Sequence, residues 1–354
     1  MIFHQPVLTQ PVLAHLVPPS DAGLIVDATL GEGGHAEAFL SKYPALFLIG
    51  VDADAAILQA AQARLSPFAG RIRLVNSWFA DFLTRYAEEK SPDLILMDLG
   101  VSRYHYEGSA RGFSFDRDEE LDMRLGPDLT TTAADIVNTA DAAEITDILF
   151  RYGEEKFARL IASRIVRERA EEPITRSRRL ANLVAAAVPD RYRHRRIHPA
   201  TRTFQALRIA VNSELEQLET GLKEALRILK PGGRIGVITF HSLEDRIVKR
   251  FFRDKSKECT CPPEWPICQC GGKAELRLVT GKPVTASEEE VSRNPASRSA
   301  KLRVAEKPQQ QGAGAPNPPS TGVREYALGP KAVPVRGIPR TAARARARRE
   351  KGDR

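Results

Sequence analysis

Long apolar segments are missing from this sequence. No run of apolar residues approaches the ~18 that a membrane-spanning helix needs. The opening MIFHQPVLTQ lacks the basic-then-apolar pattern of a secretion signal. We therefore expect a cytoplasmic protein with no membrane partner.

Cysteine is scarce, with four among 354 residues. All four lie in one short stretch as two C-x-C pairs, Cys259 with Cys261 and Cys268 with Cys270. A reducing cytoplasm disfavours disulfides. The pairs could hold a tetrahedral zinc ion, although C-x-x-C is the commoner zinc spacing. The alternative is a proline-braced loop with reduced thiols, and we include no metal in the predicted site.

Apolar residues are nevertheless frequent enough for a packed core, at 42% of the chain. The length suits one large domain or two of ordinary size. A net charge of +8 is compatible with a polyanionic partner.

Residues 24–54 have the pattern of a strand, a glycine turn, a helix and a second strand. The turn contains Gly31, Gly33 and Gly34, and glycine lets a backbone approach a ligand closely. Asp52 ends the second strand 19 residues after Gly33, where doubly wound folds bind ribose hydroxyls. The third glycine of G-x-G-x-x-G is absent, so the turn alone also fits one that binds nothing. With the acid, the pattern predicts an adenosine-type cofactor.

Further apolar strands at 72–75, 94–97 and 235–240 alternate with helical segments. This alternation predicts an α/β fold, with a parallel sheet covered on both faces. Residues 105–200 show helical periods only, which predicts a helical domain inserted after the fourth strand. Residues 201–229 are predicted to form one long helix.

Polar groups follow four of the predicted strands: the glycine turn with His35, then Asp52, Asp98 and His241. Ligands of open parallel sheets bind beyond the carboxyl ends of the strands. These four ends therefore predict one site. Phe79, after the third strand, is either an adenine-stacking residue or a core aromatic.

Basic residues concentrate in the insert. Residues 151–208 hold 15 Arg and Lys against six Asp and Glu, a net charge of +9, centred on Arg191–Arg196. Such a run is often a solvated face, but interleaved Tyr and His favour RNA contacts. Residues 307–354 are predicted to be a disordered basic tail, and its last part, 331–354, carries a net charge of +7.

Several long motifs together resemble one family, the bacterial 16S ribosomal RNA cytosine-N4 methyltransferases (ribosomal small subunit methyltransferase H). The resemblance covers residues 3–306, and the tail lies outside it. The motifs are HQPVL (4–8), VDATLGEGGHA (26–36), DLGVS (98–102), RGFSF (111–115), LDMR (121–124), YGEEKFA (152–158), HPATRTFQALRI (198–209), FHSLEDRIVKRF (240–251) and NPASRSAKLR (294–303).

The resemblance implies S-adenosylmethionine as cofactor, and methylation of one decoding-region cytidine on its exocyclic amine in 16S rRNA or the small subunit. It implies a class I (Rossmann-like) methyltransferase sheet over 1–104 and 201–306, with an all-helical RNA-recognition insert over 105–200. The family's cofactor contacts fall on Gly33, Gly34, His35, Asp52, Phe79, Asp98 and His105.

His105 and Asp98 are two of these positions. His105 stands where the family usually has Gln, and histidine can still make one hydrogen bond to a ligand. Asp98 is our candidate catalytic residue, because a carboxylate can accept the N–H bonds of the amine and then its proton. The Asp-Pro-Pro-Tyr type of motif found in DNA amino-methyltransferases is absent, since Asp98 is followed by Leu-Gly-Val.

Two other functional classes remain. A nicotinamide-dependent oxidoreductase would use the same strand-turn-helix-strand unit without needing the basic insert. A non-catalytic RNA-binding or ribosome-assembly factor would use the insert but leave the polar strand ends unexplained.

Overall fold

The structure, a computed structural model, describes residues 5–20, 22–88, 90–126, 128–193, 197–259, 261 and 272–309. All of them belong to the first of two units into which the chain divides, Met1–Gln310. Arg195, Arg196, Cys268, Cys270 and the predicted tail from 310 onward lie outside the described residues. Among the described helices, none has the length and apolarity that a membrane crossing requires.

Within these residues eight strands form one sheet in the order β3-β2-β1-β4-β5-β8-β6, with β7 also paired to β8. The first five are parallel, and β8 is antiparallel to β5. This order confirms the predicted doubly wound α/β sheet. The strands are β1 (Ala22–Asp27), β2 (Ala45–Asp52), β3 (Ile72–Asn76), β4 (Leu94–Asp98), β5 (Arg234–Thr239), β6 (Arg277–Leu278), β7 (Val284–Thr285) and β8 (Lys301–Glu306).

Helices cover both faces of the sheet because its strands bury alternate side chains on opposite sides. In β1, Ile25 packs with α1, α2 and α3, whereas Leu24 and Val26 pack with α4, α12 and α13. The helices are α1 (Thr9–His15), α2 (Gly34–Lys42), α3 (Ala55–Arg64), α4 (Phe79–Thr84), α5 (Arg103–Glu107), α6 (Ala133–Thr139), α7 (Ala142–Gly153), α8 (Ala158–Glu171), α9 (Ser177–Ala187), α10 (Asp190–Arg193), α11 (Ala200–Asn212), α12 (Glu214–Ile228), α13 (Ser242–Lys255) and α14 (Glu288–Arg293).

The insert has a hydrophobic core of its own, formed by α6 to α9 together with α11. Phe204, Leu207 and Val211 of α11 belong to this core, so its packing continues past residue 200. The insert is not helical throughout. In the described part of 108–132 there is no helix, and Glu120 forms an isolated β-bridge with Arg176.

The prediction of one helix over 201–229 is wrong. The chain forms α11 and α12, separated at Ser213, whose φ of 48° is left-handed. An α-helix cannot continue through a left-handed residue, so α12 begins in a new direction with Glu214.

Candidate active site

A cavity of about 520 Å³ opens beyond the carboxyl ends of the parallel strands. The turn after β1, the end of β2, the end of β4 and the residue after β5 all contribute to its wall. Helices α5 and α12 close its sides. The turn after β1 and the ends of β2 and β4 meet at this wall as predicted, but His241 after β5 is not among the lining residues.

Aspartates end three of the strands at this cavity. Asp27 is buried beneath it, and burial raises the pKa of Asp27 to about 7. Asp52 accepts N–H groups from Gly31 (2.9 Å) and Asp54 (2.9 Å), so it fixes the glycine turn beside the cavity. Burial raises the pKa of Asp52 as well. In the part of the chain that the structure describes, no Lys or Arg pairs with Asp27, Asp52 or Asp98.

His35 and Asp98 form the centre of the site. His35 Nε2 lies 3.4 Å from Asp98 Oδ2, and the His35 side chain is 6% exposed. Neither ring nitrogen of His35 nor Oδ1 of Asp98 has a hydrogen-bond partner among the described residues, although all three atoms are buried. Buried polar atoms of native proteins are nearly always satisfied, so these atoms point to a ligand.

His105 binds within the protein. Its Nδ1 accepts the Ser102 backbone N–H (3.1 Å), which leaves the proton on Nε2, and Nε2 donates to Asp54 Oδ2 (3.2 Å). Arg111 donates to the same Asp54 oxygen. Burial alone would raise the pKa of Asp54, but the hydrogen bonds from His105 and Arg111 hold it below its usual range.

Six of the seven predicted cofactor residues line this cavity: Gly34, His35, Asp52, Phe79, Asp98 and His105. Gly33 does not. Its φ of 80° turns the chain into α2, and a Cβ there would press on Leu65 at 3.1 Å. Both ring nitrogens of His105 have partners within the protein, so neither is left for the predicted hydrogen bond to the cofactor. His105 instead holds Asp54 at the edge of the cavity.

The core interpretation of Phe79 is confirmed, and its stacking on adenine stays a prediction. Its ring lines the cavity and also packs with the core formed by α4, α12 and α13. Gly221 of α12 lies directly against this ring, and a side chain at Gly221 would collide with it.

Sequence reasoning missed three residues here: Asp27, Asp54 and Arg111. Asp27 ends the first strand just as Asp52 and Asp98 end theirs, and that position was the available signal. Asp54 precedes a helix and caps it through the Ala56 N–H (2.9 Å), which is a recognisable pattern. Arg111 opens the RGFSF motif, but nothing local indicates its contact with Asp54.

Glu214, the first residue of α12, forms an ion pair with Arg208 of α11. Arg208 donates through Nε and Nη2 to the two carboxylate oxygens of Glu214 (2.8 and 2.9 Å). Glu214 also lies near His241 and Glu244, with one polar atom of each within 4.8 Å of the others. Both oxygens of Glu214 accept hydrogen bonds from Arg208, which disfavours a metal ion at these three residues.

The residues at the strand ends fit a cationic, adenosine-type cofactor. Carboxylates outnumber the Arg and Lys side chains that pair with them, Asp98 and His35 present unpartnered atoms, and the space beside Gly31 is open. Asp52 stands at the ribose position of doubly wound folds.

Known proteins are similar to this chain over most of its length. The sequence is 53% identical over 305 residues to the Ribosomal RNA small subunit methyltransferase H of Treponema denticola, covering 86% of this chain and 97% of that protein. It is 49% identical over 307 residues to the protein of the same name from Trichlorobacter lovleyi, covering 86% and 98%.

An rRNA methylase structure from Streptococcus thermophilus superposes with a TM-score of 0.38 at 11% identity, covering 87% of this chain and 99% of that one. The model of the MraW methylase family matches residues 1–308. The chain therefore belongs to the MraW methylase family.

Proposed function

We propose that this chain is an rRNA (cytosine-N4-)-methyltransferase that uses S-adenosylmethionine to methylate one cytidine in the decoding region of 16S ribosomal RNA. Relatives 49–53% identical are named ribosomal RNA small subunit methyltransferases. Membership of a methylase family agrees with S-adenosylmethionine as the methyl donor. The partner is 16S rRNA or the small subunit, and the location is cytoplasmic.

The cofactor assignment rests on one observation. Carboxylates without an Arg or Lys partner surround buried polar atoms of His35 and Asp98 that have no hydrogen-bond partner in the described chain. When bound, S-adenosylmethionine supplies an electrophilic methyl group on a positively charged sulfur. Asp52 would hold the ribose hydroxyls of the cofactor. Gly34 and His35, beside Asp98, would contact the end of the cofactor that lies away from the adenine. Phe79 offers its ring to the adenine.

The acceptor amine needs help from the protein. The nitrogen lone pair of cytosine N4 is delocalised into the ring, which makes it a poor nucleophile. Holding the amine in line with the methyl group can lower the barrier by several kcal/mol, up to ~7–11 in well-oriented cases. Asp98 Oδ1, which lacks a donor, would accept an amine N–H and then the proton that leaves nitrogen. His35 would keep the Asp98 carboxylate in position.

RNA binding is assigned to the insert. Its net charge of +9 over 151–208 suits contacts with phosphates. Glu154 connects the insert to the sheet, because its carboxylate accepts from Ser242 Oγ and Arg246 Nη2, each at 2.7 Å. RNA held by the insert would therefore lie close to the residues that follow β5.

Two measurements test this function. Calorimetry should detect binding of S-adenosylmethionine and none of NAD, which separates a methyltransferase from an oxidoreductase. Transfer of labelled methyl groups to small subunits purified from cells without this gene should then be lost in Asp98→Asn. A protein that binds these subunits but transfers no methyl group would instead be an assembly factor.

A further inference from the structure

Part of the cavity wall contains none of the predicted cofactor residues. It lies between α5 and α12, and it includes Tyr106, Glu214, Gln217 and Phe240. Asp98 ends β4, which lies between β1 and β5, so Phe240, which follows β5, is on the far side of Asp98 from the ribose position. A role for these residues in holding the methyl acceptor rests on the proposed function.

Tyr106 is an exposed aromatic residue held in a fixed place. The residue is 40% exposed at the cavity, yet its hydroxyl accepts a hydrogen bond from Arg208 Nη1 (3.1 Å). Arg208 is fixed in turn by its paired contacts with Glu214, and these two side chains are only 11% and 12% exposed. Burying an ion pair requires costly desolvation, and here the pair holds the ring at the cavity.

Gln217 adds an acceptor without a donor. It follows Glu214 by three residues, so both side chains lie on one face of α12. Its Oε1 is buried and has no hydrogen-bond partner in the described chain. Oδ1 of Asp98, lining the same cavity, is in the same state.

An exocyclic amine matches these two oxygens. Cytosine carries two N–H donors on N4, whereas uracil has an acceptor oxygen at that position. Uracil would place an acceptor oxygen against the acceptor oxygens of Gln217 and Asp98. All three oxygens would then lack a donor, which strongly disfavours the binding of uracil. Enzymes that modify a base commonly flip it from the helix and stack it on aromatic side chains.

We propose that this part of the cavity is the pocket for the flipped target cytosine. Tyr106 is the surface on which the base stacks, and Arg208 with Glu214 positions that ring. Gln217 and Asp98 each accept one N–H of the amine. Gln217 is therefore a residue that selects cytosine over uracil.

Methyl transfer to small subunits from cells without this gene, at saturating S-adenosylmethionine, tests the pocket. Stacking of a base on an aromatic ring contributes ~1–3 kcal/mol, so Tyr106→Leu should lower kcat/KM for the subunit by roughly ten- to a hundredfold. Tyr106→Phe keeps the ring but loses the hydrogen bond from Arg208 that positions it, so its activity should fall between those of wild type and Tyr106→Leu. Gln217→Leu should lose activity, and Gln217→Glu, which keeps an acceptor oxygen, should retain more.

The control is Phe47→Leu. Phe47 is also 40% exposed but lies in the first half of β2, away from the carboxyl ends, so activity should not change. Calorimetry should give the wild-type affinity for S-adenosylmethionine in every variant. Activity of Tyr106→Leu equal to wild type would overturn the pocket, and so would a parallel loss of cofactor affinity. A wild-type protein that binds cofactor but never methylates these subunits contradicts the proposed function, and the pocket with it.

Discussion

Asp27 gives the site its dependence on pH. Burial raises its pKa to about 7, although nearby His35 opposes the shift. In the unfolded chain an aspartate titrates at ~3.9. Between these two pH values the folded protein holds a proton that the unfolded chain has released, so the free energy of unfolding falls as pH rises through this window. Above pH ~7 the buried carboxylate is charged and lies beneath the cofactor position.

The first prediction follows from that charge. Affinity for cationic S-adenosylmethionine should rise between pH 6 and pH 8, around the Asp27 pKa of about 7, because ionised Asp27 attracts a cation. Asp27→Asn should bind with a much flatter pH dependence. Calorimetric titrations of both proteins across this range provide the check, and parallel curves would assign the dependence to another group.

His105 provides a second prediction. Glutamine could accept the Ser102 N–H through its amide oxygen and donate to Asp54 through its amide nitrogen. His105→Gln should therefore bind S-adenosylmethionine about as well as wild type. His105→Ala removes one hydrogen bond to the Asp54 carboxylate, and affinity should fall roughly tenfold, or ~1.4 kcal/mol. If His105→Ala binds as tightly as His105→Gln, Asp54 does not depend on this contact.

The strand ends could be predicted from sequence, but the side-chain network between them could not. Asp52 and Asp98 directly follow apolar runs, so their place at the carboxyl edge follows from the strand pattern alone. Asp54 meets His105 and Arg111, which lie 51 and 57 residues further along the chain. Contacts over such separations depend on how the insert packs, and local patterns do not report them.

At the scale of elements, the break between α11 and α12 shapes the site. Because of this break, α12 begins with Glu214 at the cavity. Asn212, at the end of α11, binds the backbone of residues 123–125. The Asn212 amide donates to the Met123 carbonyl and accepts the Leu125 N–H, each at 2.8 Å. Arg111 donates to the Arg124 carbonyl in that same segment (2.8 Å), so the break is linked to the contact at Asp54.

Strands β1, β2, β4 and β5 were predictable because each is a short apolar run with mostly buried side chains. Strand β3 was predictable from its apolar run alone, since none of its residues is fully buried. The helix break was not, because no glycine or proline marks it. Ser213 adopts the left-handed conformation that glycine favours, and only the packing of α11 and α12 requires it there.

A third prediction concerns this exposed residue. A left-handed conformation costs a non-glycine residue roughly 1–2 kcal/mol. Ser213→Gly should therefore raise the free energy of unfolding by roughly 0.5–1 kcal/mol, after the entropy of glycine in the unfolded chain is included. Ser213→Val should lower it. Urea denaturation of the three proteins measures both changes, and equal midpoints would show that Ser213 carries no strain.

For the whole molecule, the basic charge of the insert is the feature that supports the proposed RNA binding. Within the basic centre of the insert, Arg191–Arg196, not every arginine is available to contact an RNA phosphate. Arg193 donates to the Val188 and Ala186 carbonyls (3.1 and 3.0 Å) near the end of α9, and it also pairs with Asp190 (2.7 Å). Arg193 therefore stabilises the fold of the insert.

The fourth prediction uses the neighbouring pair, Arg195 and Arg196. Replacing both with Ala should weaken RNA binding and reduce the slope of log affinity against log salt by ~1.4–1.8, because each lost phosphate contact removes ~0.7–0.9. Affinity for S-adenosylmethionine should stay the same. Arg73→Ala with Lys90→Ala is the matched control, since both residues lie outside the insert. An unchanged slope in Arg195→Ala with Arg196→Ala would mean that this cluster is a solvated face.

The most direct test of the proposed activity is mass spectrometry of nucleosides from 16S rRNA. RNA from cells with the wild-type gene should contain N4-methylated cytidine at one decoding-region position, and RNA from cells without the gene should lack that methyl group. Supplying the wild-type gene again should restore it, and supplying Asp98→Asn should not. Identical nucleosides with and without the gene would contradict the account.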